Sequence, residues 1–299
     1  MLNIPGHSFL SIEPLTRGSS TDKKYSVQTS SGERLLLRVA DISEYEQKKR
    51  EFEVVTAVSR LGIITSSPID FGICADGKSV YSLLAWIDGE EARDALLRLE
   101  EADQYALGVK AGGILKKIHS IPAPTTGIQD WGVRFRRKAE SKIDKYMECP
   151  LKFSGDDLVI RYIRENEHLL DRRPQCFQHG DYHVGNMIIT PAGELGIIDF
   201  NRFDYGDPWE EFNRIVWCAN VSPRFASGRI DGYFGSEAPE EFFRLLALYI
   251  ASNTLSSIYW AIPFGQAEID TMMKQAAEVL DFYDGMKNPV PKWYAGVSR

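Results

Sequence analysis

The chain has 299 residues, 43% of them hydrophobic and 26% charged, with a formal net charge of −7 at pH 7. That length suits one large domain or two lobes, and the composition is that of a globular protein with a sizeable core. With a negative balance and no block of Lys or Arg, neither nucleic acid nor an anionic membrane is expected as a main partner.

No run of about 18 apolar residues stands out, so no membrane span is expected. Met1-Leu2-Asn3-Ile4-Pro5 lacks the basic-then-apolar layout of a signal peptide. Cys74, Cys149, Cys176 and Cys218 lie far apart. That spacing argues against a disulfide framework and for a reducing, cytoplasmic setting.

Residues 12–87 read as strand-rich with one helix. Strands are predicted over 25–29 and 35–39, around the turn Ser30-Ser31-Gly32. A helix is predicted over 43–61, where Phe52, Val55, Val58 and Leu61 recur at helical spacing. The apolar run 81–87 is a further strand, closed by Asp88-Gly89. Helices follow over 103–120, 135–147 and 156–170, then two short strands over 187–190 and 196–199. Two long helices, 240–261 and 266–285, complete the pattern. The composition shift near Asp88 divides the chain into 1–88 and 89–299. By pattern alone the class is α+β.

The chemistry concentrates in His179-Gly180-Asp181-Tyr182-His183-Val184-Gly185-Asn186 and, further on, Ile197-Ile198-Asp199-Phe200. Asp181 stands five residues before Asn186, and Asp199 thirteen after it. Phosphoryl transfer needs such a set: a carboxylate to orient the acceptor hydroxyl, and hard oxygen donors to hold Mg²⁺ against phosphates. Asp181 fits the first role, and Asn186 with Asp199 the second. Cys176, His179 and His183 have spacings compatible with zinc, but Gly180 argues for a loop there, and the histidines are better read as loop braces.

This segment resembles the aminoglycoside phosphotransferase family, whose motif reads His-Gly-Asp-x-x-x-x-Asn followed by an Ile-Asp-Phe-like metal motif. Gly206-Asp207-Pro208 is similar to the Gly-Asp-Pro of that family. The resemblance implies a bilobal protein-kinase-like fold, with a small antiparallel-sheet N-lobe that binds ATP or GTP and a larger, mainly helical C-lobe. It implies transfer of the γ-phosphate to a hydroxyl of a small molecule, with Mg²⁺ as cofactor.

It also implies a role for Arg38, which occupies the usual place of a phosphate-pairing lysine. Strand alternation puts Leu36 and Arg38 on one face and Leu35, Leu37 and Val39 on the other. An arginine is always cationic and grips phosphate in a fork. Glu51, in Lys49-Arg50-Glu51-Phe52, is the expected partner of Arg38, with Glu53 as runner-up. Gly18, Ser19 and Ser20 would offer a phosphate-binding turn. Leu84, Ala85, Trp86 and Ile87 would form the hinge strand that meets the base edge. No P-loop is present: Gly108 and Gly113 have its spacing, but Ile114-Leu115 replace its Lys-Ser/Thr.

The acceptor is the open question. From Asp199 to Arg299 there are 14 acidic and 9 basic residues, an excess of 5, against 28 acidic and 26 basic before it. An acidic pocket would suit a polycationic aminoglycoside, with Glu210 and Glu211 as contacts. The many aromatics of the same region, Trp260 among them, would suit an apolar acceptor such as a macrolide. Alternatives are a kinase of another hydroxylated metabolite, a nucleotide-binding pseudokinase, a protein kinase and a zinc hydrolase. Gly180 stands where protein kinases carry arginine, which disfavours the third.

Overall fold

The computed structural model describes residues 3–16, 22–235 and 237–296. Gly18, Ser19 and Ser20, the expected phosphate turn, lie outside the described residues. In chain order the first elements are β1 (Phe9–Leu15), β2 (Lys23–Thr29), β3 (Arg34–Asp41), α1 (Tyr45–Ser59), β4 (Ile64–Thr65), β5 (Pro68–Cys74), β6 (Ser79–Ala85), β7 (Glu90–Glu91) and α2 (Ala92–Ala95). Then come α3 (Glu101–Ile118), α4 (Trp131–Glu148), α5 (Asp156–Asn166), β8 (Cys176–Gln178), β9 (Met187–Ile189), β10 (Leu195–Ile197) and β11 (Asp204–Gly206). Four helices end the chain: α6 (Ile215–Val221), α7 (Pro223–Phe234), α8 (Glu240–Ala261) and α9 (Gln266–Phe282).

Residues Met1–Ala95 with Gly185–Phe203 form one compact unit, and Leu96–Val184 with Asp204–Arg299 form the other. The division differs from a single cut near Asp88. The reason is strand pairing: β10 pairs with β4 in parallel, β9 pairs with β7, and β9 and β10 form a hairpin between them. Residues 185–203 are therefore held by the first unit although the chain has by then built much of the second.

The first unit is built on an antiparallel sheet in the order β1-β2-β3-β6-β5. Leu35, Leu37 and Val39 of β3 point into a core with Val27, Tyr81 and Leu83. Period-2 alternation then leaves Leu36 and Arg38 on the opposite face. Helix α1 lies against β5, where Tyr45 and Phe52 both tilt onto Phe71. β5 was not foreseen; its Pro68 and Gly72 weaken the strand signal.

In the second unit α3 and α7 approach through glycines. A Cβ on Gly108 would lie 2.2 Å from the Phe225 carbonyl oxygen, and one on Gly112 would lie 2.2 Å from that of Arg229. Gly228 and Gly232 of α7 face α3 in the same way, with Tyr105 and Val109 carbonyl oxygens 2.3 and 2.2 Å away. The glycines whose spacing hinted at a phosphate loop thus split in role. Gly108 packs helices, and Gly113 meets nothing within 4 Å. Helix α7 also escaped the sequence reading, since Ser227, Gly228 and Gly232 weaken its propensity, though Ser222 caps it and Pro223 opens it.

Residues 240–264, covering α8 and its following turn, are apolar and long enough to cross a membrane by composition, but 67% of the most apolar window is buried inside the protein. That is the character of a core helix, apolar all round because neighbours cover it on every side. Gly112→Ala should cost about 1–3 kcal/mol by overpacking, a Tm loss of several degrees in calorimetry. Gly113→Ala should be neutral, or stabilising by up to about 1 kcal/mol through helix propensity. Equal effects at the two positions would contradict the close approach.

Candidate active site

The first unit brings Leu36, Arg38, Leu84, Ile198 and Asp199 to one pocket, with Thr65 and Val55 in its wall. Leu36 and Leu84 are register partners on β3 and β6. The Ala85 amide donates to the Ser67 carbonyl at 2.8 Å, so that donor is already engaged. Trp86 lies under the Arg34 guanidinium at 4.2 Å. Ile87 packs over Gly196, where a Cβ would meet its Cδ1 at 3.1 Å.

Asn186 and Asp199 sit at the same end of the β9–β10 hairpin. The Ile198 amide donates to the Asn186 carbonyl at 3.0 Å, one residue before Asp199. Asp199 itself adopts φ 67° and ψ 63°, the left-handed region. A non-glycine residue there costs free energy, and such strain concentrates where a side chain must be aimed.

Arg38 Nη1 stands 3.7 Å from Asp199 Oδ1. Its stronger partner is Asp22, at 2.6 Å from Nη2 and 2.9 Å from Nε. Asp22 opens β2, and its side chain is only 1% exposed. Lys48 of α1 reaches the other Asp22 oxygen at 2.9 Å and Glu51 at 3.2 Å. Burial alone would raise the Asp22 carboxyl; the charges and hydrogen bonds of Arg38 and Lys48 outweigh it and hold the group below the usual carboxylate range. The direct Arg38–Glu51 pair expected from the sequence is therefore replaced by a chain of four charges. The cause is local: Lys48 lies one turn before Glu51 on the same face of α1 and takes its carboxylate first.

The Asp181 loop belongs to the second unit. Its turn is made by Gly180, at φ 82°. The Gly180 amide donates to both oxygens of Glu211, at 3.0 and 3.1 Å. The Asp181 amide donates to His179 Nδ1 at 3.2 Å. His183 Nε2 is 3.4 Å from Asp181 Oδ1, and Arg214 Nε is 2.7 Å from the same oxygen. Arg229 of α7, fully buried, donates to the carbonyls of Tyr182 at 2.8 Å and Glu211 at 3.2 Å.

Glu211 was expected to touch the acceptor. It is instead 3% exposed and spends its carboxylate on Gly180, which makes it a brace of the loop. Burial would raise its carboxyl; the His119 side chain, the His179 ring and the Gly180 amide outweigh that and hold it low. Glu210 accepts from Gln178 at 3.1 Å and lies 3.8 Å from Lys138. Trp260 is 46% exposed at the end of α8, against Phe264. Asp207, of Gly206-Asp207-Pro208, is fully buried and accepts from Arg173 at 2.7 Å and the Tyr249 hydroxyl at 2.6 Å. It ties the segment after Asp199 to the core helix α8. Asp22, Lys48, Arg214 and Arg229 were missed, because each meets its partner only through tertiary contact.

Two measurements test these assignments. In double-mutant cycles on stability, Arg38 and Asp22 should couple by more than about 1 kcal/mol, and Arg38 and Glu51 should add within about 0.5 kcal/mol; strong direct Arg38–Glu51 coupling would contradict the charge chain. For Glu211 the folded carboxyl titrates below its unfolded value. Its contribution is present above about pH 4.3 and is lost as pH falls through the folded pKa. The stability gap between wild type and Glu211→Gln in urea titrations should therefore shrink on acidification. A gap constant from neutral pH to about pH 3 would show that Glu211 is not held as a carboxylate.

Comparison with known proteins places this geometry. The profile of the phosphotransferase enzyme family, APH, matches residues 11–243. No curated protein sequence matches. Among solved structures, the GDP and kanamycin complex of APH(2″)-IIIa aligns with TM-score 0.68 and 16% identity, over 92% of this chain and 94% of that one. APH(4)-Ia in ternary complex with ADP and hygromycin B aligns with TM-score 0.66 and 16% identity, over 91% and 94%. A putative aminoglycoside phosphotransferase from Ralstonia eutropha JMP134 aligns with TM-score 0.67 and 14% identity, over 96% and 94%. The kinase-like fold of those proteins, an antiparallel sheet part and a larger helical part, is the fold of this chain. With its family profile spanning both motif segments, the chain belongs to the phosphotransferase enzyme family.

Proposed function

We propose that the protein transfers the γ-phosphoryl group of ATP or GTP to a hydroxyl of a small molecule in the cytoplasm. The observation that carries this reading is the first-unit pocket, where Asp199 is aimed by a left-handed backbone beside Arg38 and shares a hairpin end with Asn186. A neutral amide and one carboxylate suit Mg²⁺, a hard cation that keeps water and substrate phosphate among its ligands. When bound, such an ion neutralises charge on the transferring phosphates.

The remaining work falls to positioning. Arg38, held by Asp22, presents a fixed cation to phosphate oxygens. Leu36 and Leu84 give the pocket an apolar wall suited to a base, with the segment after β6, which ends at Ala85 rather than at the expected Ile87, as its edge. Asp181 receives or orients the acceptor hydroxyl proton. The loop is kept in place by Glu211 and Arg229, so little reorganisation accompanies the step. The relatives bound to kanamycin and hygromycin B support a hydroxylated small molecule as acceptor.

The test is coupled nucleoside-diphosphate release over hydroxylated acceptors, with Mg-nucleotide affinity measured by calorimetry. Asp181→Asn should lower kcat by roughly 10²–10⁴ and leave Mg-nucleotide affinity nearly intact. Asp199→Ala should abolish Mg²⁺-dependent nucleotide binding, and Asn186→Ala should weaken it less, because only Asp199 carries charge. Undiminished kcat in Asp181→Asn, or unchanged affinity in Asp199→Ala, would sink the reading.

A further inference from the structure

The surroundings of Asp181 within the second unit do not match a polycationic acceptor. Arg214 Nε holds Asp181 Oδ1 at 2.7 Å. Lys142 of α4 is half-buried, and among the described residues it makes no hydrogen bond or ion pair. Burial, reinforced by Lys138 and Arg214 and opposed only by Glu210, pushes its ammonium down to about 7. Lys138 lies one turn earlier on the same helix, so the two lysines repel at i,i+4. The carboxylates of this cluster are few. Asp181 is the proposed acceptor-orienting group itself, and Glu210 is engaged by Gln178.

Several of the acidic residues that bias the C-terminal sequence are spent elsewhere. Glu211 holds Gly180, Asp207 holds Arg173, Asp231 takes hydroxyls from Tyr105 and Tyr294, and Asp281 pairs with Lys292.

Glu210 acts on Lys142 but is already shared with Lys138 at 3.8 Å and with Gln178, so this half-buried ammonium is under-compensated, which costs stability. Arg214, clamped on Asp181, keeps that carboxylate ionised but lowers its basicity, which opposes receipt of the hydroxyl proton. Both costs vanish together when an anion enters. The five guanidinium donors of Arg214 include four on Nη1 and Nη2 that its Nε contact leaves uncommitted to Asp181. We propose that the acceptor is an anionic hydroxylated small molecule, whose carboxylate or phosphate group is received by Arg214 and Lys142 while its hydroxyl faces Asp181. This assignment rests on the phosphotransferase reading for the hydroxyl, and on charge alone for the anion.

The experiment has two arms. In the first, the full chain without nucleotide is titrated calorimetrically with inorganic phosphate at neutral pH. Saturable binding is expected, weakened at least tenfold in Lys142→Met and in Arg214→Gln and unchanged in Lys274→Met, an exposed position on α9. Lys142→Met should melt no lower than wild type, which separates lost binding from lost folding. No saturable binding, or binding that neither substitution affects, overturns the proposal.

In the second arm, nucleoside-diphosphate release is compared over gluconate, sorbitol and N-methylglucamine, which are matched six-carbon polyols of negative, zero and positive charge, and over kanamycin. Preference for gluconate by tenfold or more in kcat/KM, reduced by Lys142→Met through acceptor KM, supports it. Preference for the cations, with Lys142→Met without effect, overturns the anionic acceptor and leaves the kinase reading intact. A Lys142→Met effect confined to nucleotide KM also overturns it, since the cations would then serve the nucleotide. Phosphate binding that depends on Lys142, with no transfer to any acceptor, would support the anion site and count against the phosphotransferase reading.

Discussion

The bond from the Gly180 amide to the buried carboxylate of Glu211 fixes the loop that carries Asp181. A carboxylate in the interior is tolerated only when its lone pairs are answered. Here a backbone amide and the imidazoles around it supply the answer, and the Glu211 carbonyl in turn accepts from Arg229. Arg229 reaches both that carbonyl and the one of Tyr182, and it stacks on the Tyr182 and Phe212 rings at 4.6 and 4.7 Å. It can do so because α7 lies hard against α3. The glycines that permit that approach are thus part of the same chain of cause: backbone contact sets the helix, the helix sets the arginine, and the arginine sets the loop.

The first unit solves a similar problem with a different set of charges. In the proposed role Arg38 stays cationic beside phosphate and is aimed by something other than the phosphate. A glutamate on α1 alone would do this with one ion pair. Here Asp22 stands between Arg38 and Lys48, and Glu51 closes the far end. Charges alternate in sign along the chain, so no member is left alone in a partly buried place. The arrangement also links the residue just before β2 to β3 and α1.

What the sequence made legible was whatever is encoded over short distances. The spacing of Asp181, Asn186 and Asp199 is local and survives as motif. The exposure of Arg38 and Leu36 on one face follows from strand alternation, and the long helix at Glu240–Ala261 follows from its apolar content. What stayed hidden depends on partners brought together by folding. Glu211 was read as a contact for the acceptor; only its bond from Gly180, 31 residues away, shows it as a brace. Asp22 drew no reading from the sequence, and its partner is 16 residues on. Helix α7 was hidden for a compositional reason, since the small residues that let it pack closely are those that weaken a helix signal.

The same distinction governs charge. An excess of acidic residues in a stretch of sequence says what the unfolded chain carries. The field at a site is what remains after internal pairs have cancelled. In the second unit most carboxylates near the core have been spent on amides, hydroxyls and guanidinium groups. Around Asp181 what remains is an arginine on the carboxylate and, on α4, a lysine that shares Glu210 with Lys138. In the role proposed for Asp181 the cation keeps the carboxylate ionised, the form that receives a proton, but lowers its basicity. In the anionic-acceptor proposal the cations have a second claimant. An anionic group on the acceptor would draw Arg214 partly off Asp181 at the moment the hydroxyl arrives. Binding energy from a remote part of the substrate would then be used to ready the carboxylate, which couples recognition to reactivity.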